Sequence, residues 1–342
     1  MTLHVQLKQR LQIQESCKLK RSAKSPKQSL HPCLDISMSI SHYLKQIGRG
    51  SKGASSLNRD DAQTLMSQVL SRSVTDLEIG AFCMAMRIKG ETSDELAGFY
   101  DALKSHLPTL NFNQPVLLLP SYNGARKTHL MTPLLAKWMS ELGYLVLVHG
   151  THEDPQRTSS EQVFREMGWP VVSHRDELQS YLSQHKFAYC PLGILSPALN
   201  HLLSVRQIVG VRNSGHILAK LINPVLSESF QISNYTHPAY PVIIEEFFNL
   251  HPANVVSMRG HEGEPVASPR RLPELSFQLK REDQSGSSEA RYDETPFEYQ
   301  LAIDASSTRQ LYDSILSGAI PRPQTLLWQT EMLHKAFSRT LV

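Results

Sequence analysis

The chain has 342 residues, 40% of them hydrophobic and 20% charged, with a formal net charge of +3. That is the profile of an ordinary folded protein of roughly two domains, and it excludes disorder as a global class. No run approaches the ~18 consecutive apolar residues of a membrane span. The four cysteines (Cys17, Cys33, Cys83, Cys190) form no C-x-x-C pair, which excludes a cysteine-rich zinc site or a disulfide framework.

Charge is unevenly spread. Residues 1–37 hold seven basic side chains (Lys8, Arg10, Lys18, Lys20, Arg21, Lys24, Lys27) and two acidic ones; of 35 basic and 32 acidic residues, 28 and 30 remain elsewhere, a net of −2. Any argument for nucleic acid therefore has to rest on a local patch and not on overall charge. The first 37 residues read as a basic flexible arm, with Met38 as an alternative start. The N-terminus has no long apolar segment of a secretory leader. A cytoplasmic protein with reduced, mostly structural thiols and no membrane contact is the expectation.

From Met38 the spacing turns amphipathic (Ile40, Tyr43, Leu44, Ile47). Asn58 is placed to cap a helix whose apolar face is Leu65, Met66, Val69 and Leu70. Two capping boxes, Thr75-x-x-Glu78 and Thr92-x-x-Glu95, open further helices around the corner Lys89-Gly90-Glu91-Thr92. Residues 38–108 are thus expected to form a small helical domain.

After Pro108 the rhythm becomes strand, loop, helix. Strands are expected at Val116–Leu119, Tyr144–Val148, Phe187–Cys190, Phe230–Ser233 and Val255–Met258. Helices are expected at Thr132–Leu142, Ser159–Met167, Pro197–Val205 and Pro241–Leu250, with terminal helices at Ser306–Ile315 and Pro323–Phe337. Glu274–Tyr299 reads as a polar loop or β-excursion. The fold class is α/β: a helical domain, then an α/β domain over residues 109–342 whose sheet is largely parallel.

No P-loop or G-x-S-x-G motif occurs, which disfavours P-loop enzymes and α/β-hydrolases. Ligands of open α/β sheets bind beyond the carboxyl ends of the strands, and four segments lie there. In the first, Ser121, Asn123 and Gly124 offer backbone donors beside Arg126 and Lys127, as a phosphate loop would, or form a plain solvated turn. The second, His149–Asp154, has imidazoles and carboxylates but no third ligand at metal spacing; as a plain polar loop, its Asp154 caps the next helix. In the third, Arg212, His216 and Lys220 share one face if the segment is helical, with Arg206 one loop earlier. In the fourth, Glu262-Gly263-Glu264 places two carboxylates around a glycine, suited to a metal or to acid–base work.

Leu57–Leu103 with Ala85-Met86-Arg87 and Lys89-Gly90-Glu91-Thr92, then Val148-His149-Gly150, then Gly210-Val211-Arg212 closing at Asn223-Pro224, resembles anthranilate phosphoribosyltransferases and their nucleoside-phosphorylase relatives. The resemblance implies that fold, including a homodimer through the helical domain. The departures are concentrated at the site. The family's Gly-Thr-Gly-Gly-Asp pyrophosphate loop stands here as Pro120-Ser121-Tyr122-Asn123-Gly124-Ala125-Arg126. Its Lys-His-Gly-Asn-Arg stretch stands as Val148-His149-Gly150-Thr151-His152, and its magnesium-holding Asp-Glu pair as Glu264-Pro265. Ordinary anthranilate phosphoribosyl transfer is therefore not expected.

Ile47-Gly48-Arg49-Gly50, Pro120–Lys127 (PSYNGARK), His149-Gly150 with Glu153-Asp154-Pro155, and Gly210-Val211-Arg212-Asn213-Ser214 resemble the divergent YbiB family. That resemblance implies binding of DNA or RNA without strong sequence preference. The expected contacts are Arg126, Lys127, Arg206, Arg212 and Lys220, with Arg49 and Lys52 as a second surface, Tyr122 stacking on an unpaired base, no catalytic residue and no cofactor. The rival is a glycosyl or phosphoribosyl transferase with altered substrates, in which Glu262 and Glu264 hold magnesium. A third reading is a protein-interaction scaffold.

Overall fold

The computed structural model describes residues 39–151, 154–238, 240–280, 285–296 and 302–338; the basic arm lies outside them. The chain after Ile40 begins with helices α1 (Ser41–Ile47), α2 (Gly50–Gly53), α3 (Arg59–Leu70), α4 (Asp76–Lys89) and α5 (Ser93–Lys104). Their starts follow the sequence signals. Asn58 Oδ1 accepts from Asp61 N, and the Thr75/Glu78 and Thr92/Glu95 boxes are both closed. Glu95 does more than cap. Fully buried, it also accepts from Leu57 N at 2.9 Å and meets Lys89 Nζ at 2.6 Å, tying three segments of the bundle together. An ion pair this enclosed is held by its added hydrogen bonds more than by Coulomb attraction alone.

The alternating part follows: β1 (Val116–Ser121), α6 (Thr132–Glu141), β2 (Leu145–Gly150), α7 (Ser160–Glu166), α8 (Leu178–His185), β3 (Phe187–Pro191), α9 (Leu192–Leu195), α10 (Pro197–Ser204), α11 (Arg206–Val209), α12 (Gly215–Leu218), β4 (Ser229–Tyr235), α13 (Tyr240–Leu250) and β5 (Asn254–Arg259). Then come β6 (Arg271–Leu272), β7 (Leu275–Gln278), β8 (Ser285–Ser288), β9 (Arg291–Tyr292), α14 (Ala305–Leu316) and α15 (Gln324–Ser338). The polar stretch after Glu274 is thus partly β-structure.

The main sheet has the order β3-β2-β1-β4-β5-β7-β8. The first five strands are parallel, and β7 and β8 close one edge antiparallel. The first four residues of β1 and of β2 are all apolar because both faces are covered, whereas β4 alternates Phe230 and Ile232 with buried Gln231 and Ser233. Val116, Leu118, Leu145 and Leu147 face a core shared with the helical bundle and α13. Leu117, Leu119, Val146, Val148, Phe230 and Ile232 face a second core under α6, α7, α14 and α15. Cys83 and Cys190 are buried thiols, each pushed up to about 12 by burial and so inert.

Two expectations need correction. The segment from Arg212 to Lys220 is not one helix: only Gly215–Leu218 is helical, so Arg212, His216 and Lys220 do not form a common exposed face. Asp154 caps no helix; Ser159 Oγ accepts from Gln162 N at the start of α7, while Asp154 Oδ1 accepts from Gln156 N. Its neighbours His152 and Glu153 lie outside the described residues.

The strand order reverses between β1 and β4. In such sheets that point opens a crevice beyond the strand ends, here between the loop after β1 and the end of β4.

Candidate functional site

The loop after β1 is held by two carboxylates from the turn after β5. Glu264, 1% exposed, accepts from Asn123 N (2.9 Å) and Gly124 N (2.8 Å) on one oxygen. On the other it accepts from Ser121 Oγ (2.5 Å) and Thr132 Oγ1 (2.9 Å). Glu262 accepts from Arg126 N (3.1 Å), Lys127 N (2.9 Å) and Thr128 N (3.2 Å) and faces Arg157 Nη1 at 3.5 Å. Five amides of this loop, of the kind that would cradle a phosphate, therefore point at internal carboxylates.

The turn that delivers the two acids is tight. Glu264 N bonds back to His261 O, and both residues between have positive φ, 51° at Glu262 and 86° at Gly263, as a type I′ turn requires. A side chain at Gly263 would overlap Asn123, whose Nδ2 donates to Glu262 O at 3.0 Å. Gly124, φ 66°, is needed for a different reason: a Cβ there would meet Thr158 O at 2.6 Å, across the bridge that Ala125 makes with Thr158.

The remaining site residues are distributed as follows. Arg126 and Lys127 have exposed side chains, although their amides are engaged. Arg206 and Arg212 are half-buried and share with Arg157 a pocket of only about 10 Å³, room for roughly one water. Arg212 Nη2 donates to Asn123 Oδ1 at 2.9 Å. Lys220 turns inward, donating to Gly263 O (3.1 Å) and Asn234 O (3.4 Å). Burial pushes its pKa down to about 8 against the opposing pull of Glu264. Arg49 and Lys52 are exposed at α2, on the bundle and apart from this cluster.

Tyr122 is not the exposed stacking platform that the sequence leads one to expect. It is 6% exposed, with its hydroxyl 2.7 Å from His149 Nδ1. His149 is wholly enclosed at the end of β2, and burial pushes its pKa down to about 3.

Sequence reasoning missed Arg157, which bonds Gly124 O at 3.1 Å and pairs with Asp154 and Glu262. The Asp154-x-x-Arg157 spacing was the available signal. It also missed Thr132, the fully buried first residue of α6, which nothing in its local sequence sets apart from an ordinary helix start.

Neither carboxylate is available to magnesium. Glu264 already takes four donors and Glu262 three amides and a guanidinium, so the pair does not fit the metal role that a transferase would give it. Among the described residues, no other group of three acidic, histidine or cysteine side chains could hold a metal.

Two outcomes follow. Glu264→Ala strips four buried or half-buried donors of their acceptor and lowers stability by about 3 kcal/mol or more. In a thermal melt, millimolar inorganic pyrophosphate then raises the Tm of that variant and not of the parent; equal response of both contradicts the internal-anion role. Separately, His149 binds its proton only near pH 3 when folded and near pH 6.5 when unfolded. Below about pH 6.5 the unfolded chain holds the extra proton, so stability is full above that pH and falls by at most about 1.4 kcal/mol per pH unit as pH drops. Denaturant titrations from about pH 7 to 4 show a shallower fall for His149→Gln than for the parent.

Residues 41–107 match the family described as "Glycosyl transferase family, helical bundle domain". The chain is 37% identical over 295 residues to the protein YbiB of Escherichia coli (strain K12), covering 84% of this chain and 91% of that one. It is 27% identical over 198 residues to an anthranilate phosphoribosyltransferase of Rhodopirellula baltica, of which it spans 56%. Among solved structures, the anthranilate phosphoribosyltransferase of Saccharomyces cerevisiae in complex with PRPP and Mg superposes with a TM-score of 0.68 at 14% identity, over 87% of this chain and 89% of that one. The enzyme of Thermus thermophilus gives 0.62 at 18% identity, over 86% and 87%. The helical bundle followed by a mostly parallel α/β domain is thus the anthranilate phosphoribosyltransferase fold, and the chain belongs to the YbiB family.

Proposed function

We propose that the protein binds DNA or RNA without sequence preference, through phosphate contacts from side chains at the rim of the β1 loop. The observation that carries this reading is the pair of internal carboxylates. With the loop amides bonded to Glu262 and Glu264, and about 10 Å³ left where Arg157, Arg206 and Arg212 converge, the groups that meet an external phosphate are the exposed side chains of Arg126 and Lys127.

Beside them runs a groove of about 810 Å³. Lys127, Arg270 and Arg322 lie on its walls against one acidic residue, Asp293. In a body of net −2, three cations along one groove support the local patch that this reading requires.

The rival reading is a glycosyl or phosphoribosyl transferase with altered donor and acceptor, supported by the fold it shares with the yeast enzyme. It would require Glu262 and Glu264 to release the loop and take up magnesium. No helix among the described residues is long and apolar enough to cross a membrane.

The test is a salt titration of oligonucleotide binding with the full chain and with Arg126→Ala/Lys127→Ala. The basic arm is common to both, so the difference reads the loop. The expected result is a log affinity that falls linearly with log salt, with a slope smaller by about 1 to 2 in the double variant. No binding by either protein at low salt removes the reading, and binding of phosphoribosyl pyrophosphate with magnesium then becomes the decisive assay.

The partner surface we propose for a homodimer is the outer face of α4. Leu77, Met84 and Ile88 are 84%, 38% and 59% exposed and, with Ala81, follow one helical stripe. Light scattering gives twice the chain mass for the parent and the chain mass for Leu77→Lys/Ile88→Lys; an unchanged mass excludes this face.

A further inference from the structure

The helical bundle carries a second set of cations, separate from those of the β1 loop. Residues 39–57 contain His42, Lys45, Arg49 and Lys52 and no Asp or Glu, in a body of net −2. All four side chains are exposed. By contrast, α3, α4 and α5 each hold two acids in their first turn. Positive charge is thus gathered on one segment of the bundle and not dispersed over it.

The turn that presents Arg49 and Lys52 is fixed by its own contacts. Gln46 Nε2 donates to Ser56 O at 2.8 Å, and Gln46 O accepts from Ser55 N at 3.2 Å, so the turn is pinned back on α1. A Cβ at Gly48 would meet Leu44 O at 2.6 Å, and Gly50 has φ 78°. Gly48-Arg49-Gly50-Ser51-Lys52-Gly53 has the spacing of a dinucleotide fingerprint. It follows a helix rather than a strand, however, so its glycines serve the turn.

A series of contacts leads from this turn to the β1 loop. Lys89 Nζ, at the end of α4, donates to Ser56 Oγ at 3.3 Å and to Gly90 O at 2.8 Å. Glu91, the next residue, accepts from Ser214 Oγ at 2.6 Å. Two residues before Ser214, Arg212 Nη2 donates to Asn123 Oδ1 at 2.9 Å, and Asn123 lies three residues before Arg126. The basic turn and the β1 loop therefore stand at the same end of the molecule, linked by the corner between α4 and α5 and by the segment from Arg212 to Ser214. Exposed Arg87 on α4 is a further cation at that corner.

We infer that the Arg49–Lys52 turn and the rim of the β1 loop are two contact points of one track, along which the phosphate backbone of a nucleic-acid strand passes from the α/β domain onto the bundle. The inference rests on the nucleic-acid reading above and adds the bundle to its binding surface. At ~0.1 M salt the Debye length is about 10 Å, so each pair of cations acts only on phosphates close to it. A strand that reaches both points offers its phosphates to the second at the effective concentration set by the first, and releases counterions at each. A short oligonucleotide gains nothing from the second point, so the track is read as a dependence on length.

The test uses the full chain and fluorescence anisotropy with oligothymidylates of about 5 and about 20 nucleotides. In Arg49→Ala/Lys52→Ala, affinity for the longer strand falls about ten-fold at ~0.1 M salt and its salt slope shrinks by about 1 to 2. Affinity for the shorter strand stays within about two-fold. Arg126→Ala/Lys127→Ala weakens both strands. The four side chains are exposed, so each double variant melts at the Tm of the parent, which separates lost contacts from lost folding. Unchanged affinity and slope for the longer strand in Arg49→Ala/Lys52→Ala, or equal losses for the two lengths, overturns the track and leaves phosphate binding at the loop standing. No binding of either strand by the parent at low salt overturns both readings.

Discussion

The carboxylate of Glu264 is the constraint on which the strand-end architecture depends. It draws the start of the β1 loop, the first residue of α6 and the turn after β5 to one point through four hydrogen bonds. A buried carboxylate is tolerable because it is saturated with donors, and those donors are tolerable in the interior because it accepts from them. Glu262 extends the arrangement along the same loop, at the cost of a positive φ in a residue other than glycine. Strain of that kind persists only where surrounding contacts hold it. Here they are the three loop amides and Arg157.

That arrangement also sorts the charges. Lys220, Arg212 and Arg157 are drawn inward around the carboxylates and loop oxygens, where they complete the structure, and Arg206 lines the small pocket beside them. Arg126 and Lys127 share the same loop and the same carboxylate through their amides, yet leave their side chains in solvent. Cations close together in sequence and space therefore differ in environment, Arg126 and Lys127 exposed and Lys220 turned into the interior.

What was legible in the sequence is what local chemistry determines. The caps at Asn58, Thr75 and Thr92 and the apolar runs of β1 and β2 need only neighbours within a few residues to be read. The order of strands and helices was legible in the alternating rhythm of the chain, and the resemblance supplied the fold that they form. The site was legible as a set of segments and not as a set of contacts. Glu262-Gly263-Glu264 stood out as paired acids, but their partners lie more than 130 residues away along the chain. Nothing in the spacing distinguishes a carboxylate that holds a metal from one that holds a loop. Tyr122 and Lys220 misled for the same reason: residue type states what a side chain can do, and only packing states which way it faces.

Replacing a bound anion by a side chain of the same protein changes the thermodynamics of the loop. A tethered carboxylate competes at an effective concentration in the millimolar range or above, more when its turn is preorganised as here. A free phosphate that binds such amides weakly is at a disadvantage against the tethered carboxylates. A polyanion escapes this limit because it does not need the amides. It sums many weak contacts to solvated side chains and gains from released counterions at each one. On the proposed reading, a change that closes the cradle to a single pyrophosphate leaves affinity for a chain of phosphates intact.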